Sequence, residues 1–261
     1  MNRTPILVEL WRFRGLLRSL VIRDLKVKYQ RSLLGLVWTL LNPLLTVVIL
    51  VTVFTYVLRI QVPHYWAFLL SGFFAWNFIQ YSLYQSTTVL RQHASLSRSV
   101  YYPPEILILS TSISKLVEFL LEILIVTIAL VAFHHHAVPS SLVLFPVIVA
   151  ILLIMAIGLM FPLAVLSVLY YDLQHALPIV ITSLFYISPV FYPVEMIPAA
   201  ARPFYYLNPL VGVLDLFHVI LYDGRWPSLT LLASVSAIAL AICVAGHAVF
   251  KRYKEICVEI A

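Results

Sequence analysis

Six long apolar segments, at roughly 36–58, 66–88, 106–132, 142–169, 177–197 and 228–250, are separated by short polar connections. Each approaches or exceeds the roughly 20 apolar residues that cross a bilayer core as a helix. The pattern predicts an all-α polytopic membrane protein with six transmembrane helices. The first segment is too long for a signal-peptide core and is followed by Arg59-Ile60-Gln61 instead of a small-residue cleavage site. It is expected to stay as an uncleaved anchor.

The polar positions between these segments carry their own patterns. Residues 5–31 predict an amphipathic helix along the inner membrane surface, with Leu10, Phe13, Leu17, Leu20 and Val21 on one face and Arg12, Arg23 and Lys26 opposite. Arg14 and Lys28 turn towards the apolar side, where long side chains can snorkel. The connection 91–105, RQHASLSRSVYYPPE, holds a short possible helix from Ala94 to Val100 that Pro103-Pro104 must end. Composition leaves it open as a docking element for a soluble partner or a solvated loop. Residues 187–210 carry Pro189, Pro193, Pro198, Pro203 and Pro209, a spacing that no single helix tolerates. Broken backbone at membrane depth survives only where protein covers it or a cavity hydrates it. The outer end of span five is therefore expected to form short re-entrant helices or surface pieces, an ordinary proline-rich loop being the alternative.

Charge sets the orientation. Eight cations precede span one: Arg3, Arg12, Arg14, Arg18, Arg23, Lys26, Lys28 and Arg31. Arg91, Arg98 and Lys115 surround the second connection, and Lys251, Arg252 and Lys254 close the chain. With both termini cytoplasmic, only Arg59, Arg202 and Arg225 fall outside, a bias strong enough to decide topology. An odd number of spans would put the basic tail on the wrong side. The cations before span one also meet the anionic inner leaflet, so the net charge of +6 calls for no nucleic-acid partner. Only 11% of residues are charged and 62% are hydrophobic, against about 25% charged in a soluble domain. Cys243 and Cys257 give no disulfide framework. The chain reads as a single transmembrane domain, 1–261, made of a cytoplasmic interface helix (1–34), a six-span core (35–250) and a cytoplasmic tail (251–261).

Few side chains suggest chemistry. Lys115, Glu118 and Glu122 share one helical face near the start of span three. They are a Lys115–Glu118 pair with Glu122 turned into protein, part of a transport path, or a proton relay. Tyr56, Tyr65, Trp66, Phe73, Phe74 and Trp76 lie near the outer ends of spans one and two, as an interfacial belt or as lining of an exit path. His134-His135-His136 reads as a solvated outer loop, because consecutive histidines cannot converge on one metal from a regular element, and no metal site is expected. Asp172 and His175 have no nucleophile or second carboxylate beside them, which argues against an interfacial lipid enzyme. Asp215 and His218 read as an outer-surface helix. No G-x-x-x-x-G-K-[ST] occurs, so the chain has no P-loop for ATP and no cofactor of its own is expected.

Several short motifs occur in order across the chain: Arg23-Asp24-Leu25-Lys26 with Tyr29, Ser32, Leu34-Gly35 and Trp38, then Asn42-Pro43-Leu44. Ser95 to Glu105 follows with its Pro103-Pro104-Glu105 exit, then Ser188-Pro189-Val190, Tyr192-Pro193 and Asn208-Pro209-Leu210. In this order the chain resembles permease subunits of ABC-2-type exporters, nearest to the branch exporting O-antigen, teichoic acid and capsule-like polysaccharides.

The resemblance implies a homodimeric channel in the bacterial inner membrane. Two copies of a cytoplasmic ATP-binding subunit, which hold the ATP and Mg, would drive export of a lipid-linked polysaccharide. A coupling helix at about Ala94–Val100 (Ala94, Ser95, Leu96, Arg98, Val100, with Pro103, Pro104 and Glu105) would dock on that subunit. A second contact usually formed by an Arg-Asp pair after span four reads Tyr171-Asp172 here, so its arginine is missing. Arg23, Lys26, Lys28, Tyr29 and Arg31 would sit at the inner interface, where the cations could attract a carrier-lipid pyrophosphate or bulk anionic lipid. Tyr56, Trp66, Phe73, Phe74, Trp76, Glu118 and Glu122 are the channel-lining candidates. The alternatives are an ABC-2 exporter of a small lipid or drug, and a proton-coupled carrier using Glu118 or Glu122.

Overall fold

The structure is a computed structural model that describes residues 11–30, 37–92, 102–135 and 137–260. Every regular element among them is helical. The interface helix α1 spans Arg14–Tyr29, α2 Val37–Thr52, α3 Tyr65–Gln92, α4 Glu105–Leu130, α5 Phe145–Leu169 and α6 Leu173–Ile187. Then come the short α7 Arg202–Tyr205 and α8 Pro209–Phe217, and the long α9 Leu229–Ile260. Three helices end in a π-helical turn, at Val53–Val57, Val131–His135 and His218–Tyr222.

Among the described residues four stretches are long and apolar enough to cross a bilayer: Leu40–Val57, Glu105–His134, Ser140–Leu169 and Leu229–Lys254. The sequence pattern expects six. Segment two, α3, has the length, at 28 residues, but carries Asn77, Gln80 and Gln85 along it. Most of α3 is buried against protein, so it needs little lipid-compatible surface. Segment five is shorter than expected. α6 starts at Leu173 and stops at Ile187, where Ser188-Pro189 turns the backbone extended.

α5 is the centre. It packs most extensively on α9 and α3, and α3 also lies along α4. Small residues permit the closest of these contacts. A methyl at Gly158 would fall 2.7 Å from the backbone of Cys243, and one at Gly246 would run into the Gly158 carbonyl. Interfaces of this kind let helix backbones approach in an apolar medium that supplies no hydrophobic driving force. α2 is the opposite case, with almost none of its span buried in the protomer.

The two ends of the bundle differ in chemistry. At one end α1 packs on the bundle through Phe13, Leu16, Leu17 and Leu20, the flanks of residues 93–101 emerge, and α9 finishes with Lys251, Arg252 and Lys254. At the other end aromatic and histidine rings cluster. His134 stacks on Tyr222 (centroids 5.2 Å apart) and meets His64 and Trp66 edge-on. The solvated-loop reading of His134 is thereby corrected; His136 lies outside the described residues.

The proline-rich segment is broken as expected; its start at Ser188–Phe191 is buried, whereas Phe204 and Leu207 are exposed. Val194–Met196 forms a 3-10 turn, then α7 and α8 follow. Asn208 caps α8 by accepting from the Leu210 N–H at 3.0 Å, with Pro209 preset in the first turn. The Asn208 amide also donates to Ser188 Oγ at 2.9 Å, joining two of the sequence motifs across the break. The Tyr65 hydroxyl donates to the Phe191 carbonyl at 2.7 Å, and His218 Nε2 lies 2.8 Å from the Pro189 carbonyl. His218 is buried, flat on Phe68 and bonded to Ser71. Its residence inside the bundle corrects the outer-surface-helix reading of α8.

Candidate functional site

A cavity of about 360 Å³ opens between α2, α3 and α6, within the usual size range of small-ligand sites. Asn42, Pro43 and Thr46 come from α2; Phe73, Asn77 and Gln80 from α3; Ile181, Thr182 and Phe185 from α6. The three α3 residues follow at helical spacing and share one face. Pro43 cannot donate within its helix, and the Thr46 hydroxyl turns back to the Asn42 carbonyl at 3.1 Å. The Gln80 carbonyl oxygen is held by the Trp76 indole N–H at 3.0 Å.

The chemistry of this lining is specific. Three carboxamides and two hydroxyls, with no charge among the lining residues, face each other mid-way along apolar helices. Amides and hydroxyls donate and accept, so they exchange hydrogen bonds readily with a hydroxyl-rich guest. A fixed charge would hold such a guest harder. Phe73 and Phe185 add apolar ring faces, edge to face at 6.4 Å. From Phe185 an aromatic series continues through Phe191 (5.4 Å) and Phe54 (5.1 Å) to Tyr65 (6.0 Å). Tyr65 lies 6.3 Å from Phe68, which lines a second cavity of about 480 Å³ where Glu195, Asp215, His218, Tyr222, Asp223 and Arg225 converge.

The channel-lining candidates divide. Phe73 lines the first cavity. Phe74 and Trp76 are covered on all sides within the protomer, which corrects their placement on a path surface; Trp76 acts through Gln80 and its contact with Phe185 at 5.6 Å. Trp66 belongs to the outer aromatic cluster with His134. Tyr56 is 75% exposed and projects from the outer turn of α2. Glu118 and Glu122 face neither cavity: both are buried and bonded to Lys115, at 3.3 and 3.2 Å.

The residues of α1 show contacts that spacing alone does not. Lys28 donates to both oxygens of Glu118, at 2.9 and 2.8 Å. Arg23 pairs with its neighbour Asp24 at 2.9 Å, and Lys26 lies in the last turn of α1. Tyr29 ends α1, and Arg31 lies outside the described residues, as does the Ala94–Val100 segment with Ser95, Leu96 and Arg98.

Both flanks of that segment are described. On the first, Arg91 donates to the Ser167 carbonyl and lies 4.9 Å over the Tyr171 ring, while the Gln174 amide donates to the Thr87 carbonyl at 3.1 Å. Arg91 of α3 thus reaches the α5–α6 turn through the Ser167 carbonyl and the Tyr171 ring. Asp172 itself caps α6 with its carbonyl. On the second flank Pro103-Pro104 leads into α4, and Glu105, only 2% exposed, pairs with Lys254 of α9 at 2.5 Å.

The family model described as ABC-2 type transporter matches residues 15–222. The O-antigen export system permease protein RfbA of Myxococcus xanthus is 32% identical over 250 residues, covering 95% of each chain. A protein of the same name from Klebsiella pneumoniae is 26% identical over 232 residues, 89% of each chain. The polysialic acid transport protein KpsM of Escherichia coli is 24% identical over 245 residues, 91% of this chain and 93% of that one. With the model matching most of its length, and a relative this similar across nearly all of it, the chain belongs to the ABC-2 type transporter family.

Proposed function

We propose that the chain is the permease subunit of an ATP-driven exporter that moves a lipid-linked polysaccharide across the bacterial inner membrane. The observation that carries this reading is the uncharged, amide- and hydroxyl-rich cavity between α2, α3 and α6, flanked by aromatic rings. A polymer of sugars presents hydroxyls and apolar ring faces in alternation. A path for it needs many weak, exchangeable contacts. The names of the relatives point to the same substrate class.

The working unit is a homodimer with two ATP-binding subunits, which bind the ATP and Mg that this chain has no motif for. The exposed apolar face of α2 (Leu45, Val48, Ile49) and that of α6 (Ile179, Val180) flank the cavity and suit a seam with a second copy. α3 and the α6–α8 region complete six membrane-embedded segments with both termini cytoplasmic. The grouping of α1, the 93–101 flanks and the basic end of α9 at one end of the bundle supports that orientation.

Two experiments test the reading. Asn77→Leu with Gln80→Leu removes two hydrogen-bonding groups at nearly constant volume. Surface polysaccharide in the producing cell should fall about tenfold or more, as expected for losing about 1 kcal/mol per bond in the moving state. Export at the wild-type rate would remove the cavity from the path. Leu96→Asp with Arg98→Glu should abolish co-purification of the ATP-binding subunit. A complex that survives the double change would place the docking contact elsewhere.

A further inference from the structure

Lys28, Lys115, Glu118 and Glu122 form one cluster around the Tyr81 ring. Both ammonium groups lie over that ring, at 4.9 and 5.2 Å. Lys115, Glu118 and Glu122 are buried on α4, at a spacing that puts them on one face. Lys28 comes from a different element, 90 residues away in sequence, and keeps 37% of its side chain exposed.

The attachment of α1 explains why Lys28 matters. Its apolar contacts with the bundle come from Phe13, Leu16, Leu17 and Leu20, all in or just before its first half. Beyond them Ile22 and Val27 turn outward. Lys28 therefore secures the half of α1 that leads into α2, and α2 is one wall of the cavity. Lifting this half alone would take an ammonium away from two buried carboxylates that already share Lys115. Uncompensated charge in such surroundings is strongly unfavourable. Moving α1 together with α4 carries no such penalty.

We propose that Lys28 is a positioning residue for transport: its bond to Glu118 makes α1 follow α4 through the transport cycle and so sets where the α2 wall of the cavity begins. This rests on the exporter reading above. The test places Lys28→Cys and Glu118→Cys in a Cys243→Ser, Cys257→Ser background, a pairing that keeps Lys115 opposite Glu122. Surface polysaccharide is measured in the producing cell before and after a short bifunctional thiol reagent.

Without the reagent, export should fall about tenfold, the scale of mutations along a coupling network. Cross-linking should restore it to within about threefold of wild type, because the two helices need not separate. Export that stops on cross-linking, or that is normal without it, overturns the proposal. Should the cysteine pair fail to accumulate, Lys28→Met and Lys28→Met with Glu122→Gln decide instead. The second change returns the cluster to its wild-type charge total but leaves α1 without its bond to Glu118, so export should stay as low as with the first. Recovery to near the wild-type level would mean that charge balance alone matters and overturns the proposal. Wild-type cells lacking the ATP-binding subunit are the control for the exporter reading. If they still export, that reading fails independently of Lys28.

Discussion

Gly246→Ala should lower the thermal unfolding midpoint of the detergent-solubilised protein by roughly 4–8 °C, the equivalent of about 2 kcal/mol in a chain of this size. The cause is contact between backbones. The new methyl would collide with the Gly158 carbonyl and come within 3.2 Å of Pro162 Cδ. Neither obstacle is the movable end of a side chain, so α5 and α9 must part, and overpacking of this kind typically costs about 1–3 kcal/mol. α5–α9 is the most extensive contact of the bundle, so the loss should reach the whole protein. Gly15→Ala provides the control. Nothing lies within 4 Å of a methyl there, and alanine favours a helix over glycine by about 1 kcal/mol, so stability should hold or rise. Equal melting of Gly246→Ala and wild type would mean that the two backbones do not approach this closely.

Lys254→Glu should be the most damaging single charge change outside the α4 cluster. Glu105 is buried, one of its oxygens is paired with Lys254, and the other has no hydrogen-bond partner among the described residues. A second carboxylate in place of the ammonium leaves buried like charges, and losing one partner of a buried pair alone costs about 3–5 kcal/mol. The yield of monodisperse protein should collapse. Glu105→Lys combined with Lys254→Glu should recover much of it, and Glu105→Met with Lys254→Met should recover it as well, since apolar replacement of both partners is often neutral. If the single variant purifies and melts like wild type, the pair is not formed in the membrane. The position gives the pair a further consequence. Glu105 opens α4 immediately after the connection proposed to dock the ATP-binding subunit, and Arg91 closes α3 immediately before it. One flank is tied to α9, the other to the α5–α6 turn.

Much of this architecture was legible because it is local. A run of apolar residues encodes a membrane helix by its length, and Pro189, Pro193 and Pro198 break a helix wherever they stand. Asn42-Pro43, Ser188-Pro189 and Asn208-Pro209 stood out as motifs, and the structure gives them roles: the first lines the cavity, the other two are bonded across the proline-rich break. α3 was harder. Its polar residues look like weak membrane character, and only its burial shows that they face protein and a cavity. Asn77 and Gln80 escaped notice for that reason. A clue was present, since two carboxamides three residues apart inside an apolar segment are costly unless partnered.

By itself the sequence determined the helical class, the order of the segments and the break after α6. Each follows from periodicity or proline within a short window, which tertiary packing cannot undo. Only the tertiary structure decided which charges meet. Lys28 finds Glu118 across 90 residues and Lys254 finds Glu105 across 149. Pairs so distant leave no periodic trace, and an isolated cation near an apolar segment reads equally well as a lipid anchor. The bundle removes that ambiguity because a buried carboxylate in a low-dielectric interior needs a compensating charge, and the packing of α1 on α4 and of α9 on α5 brings one within reach.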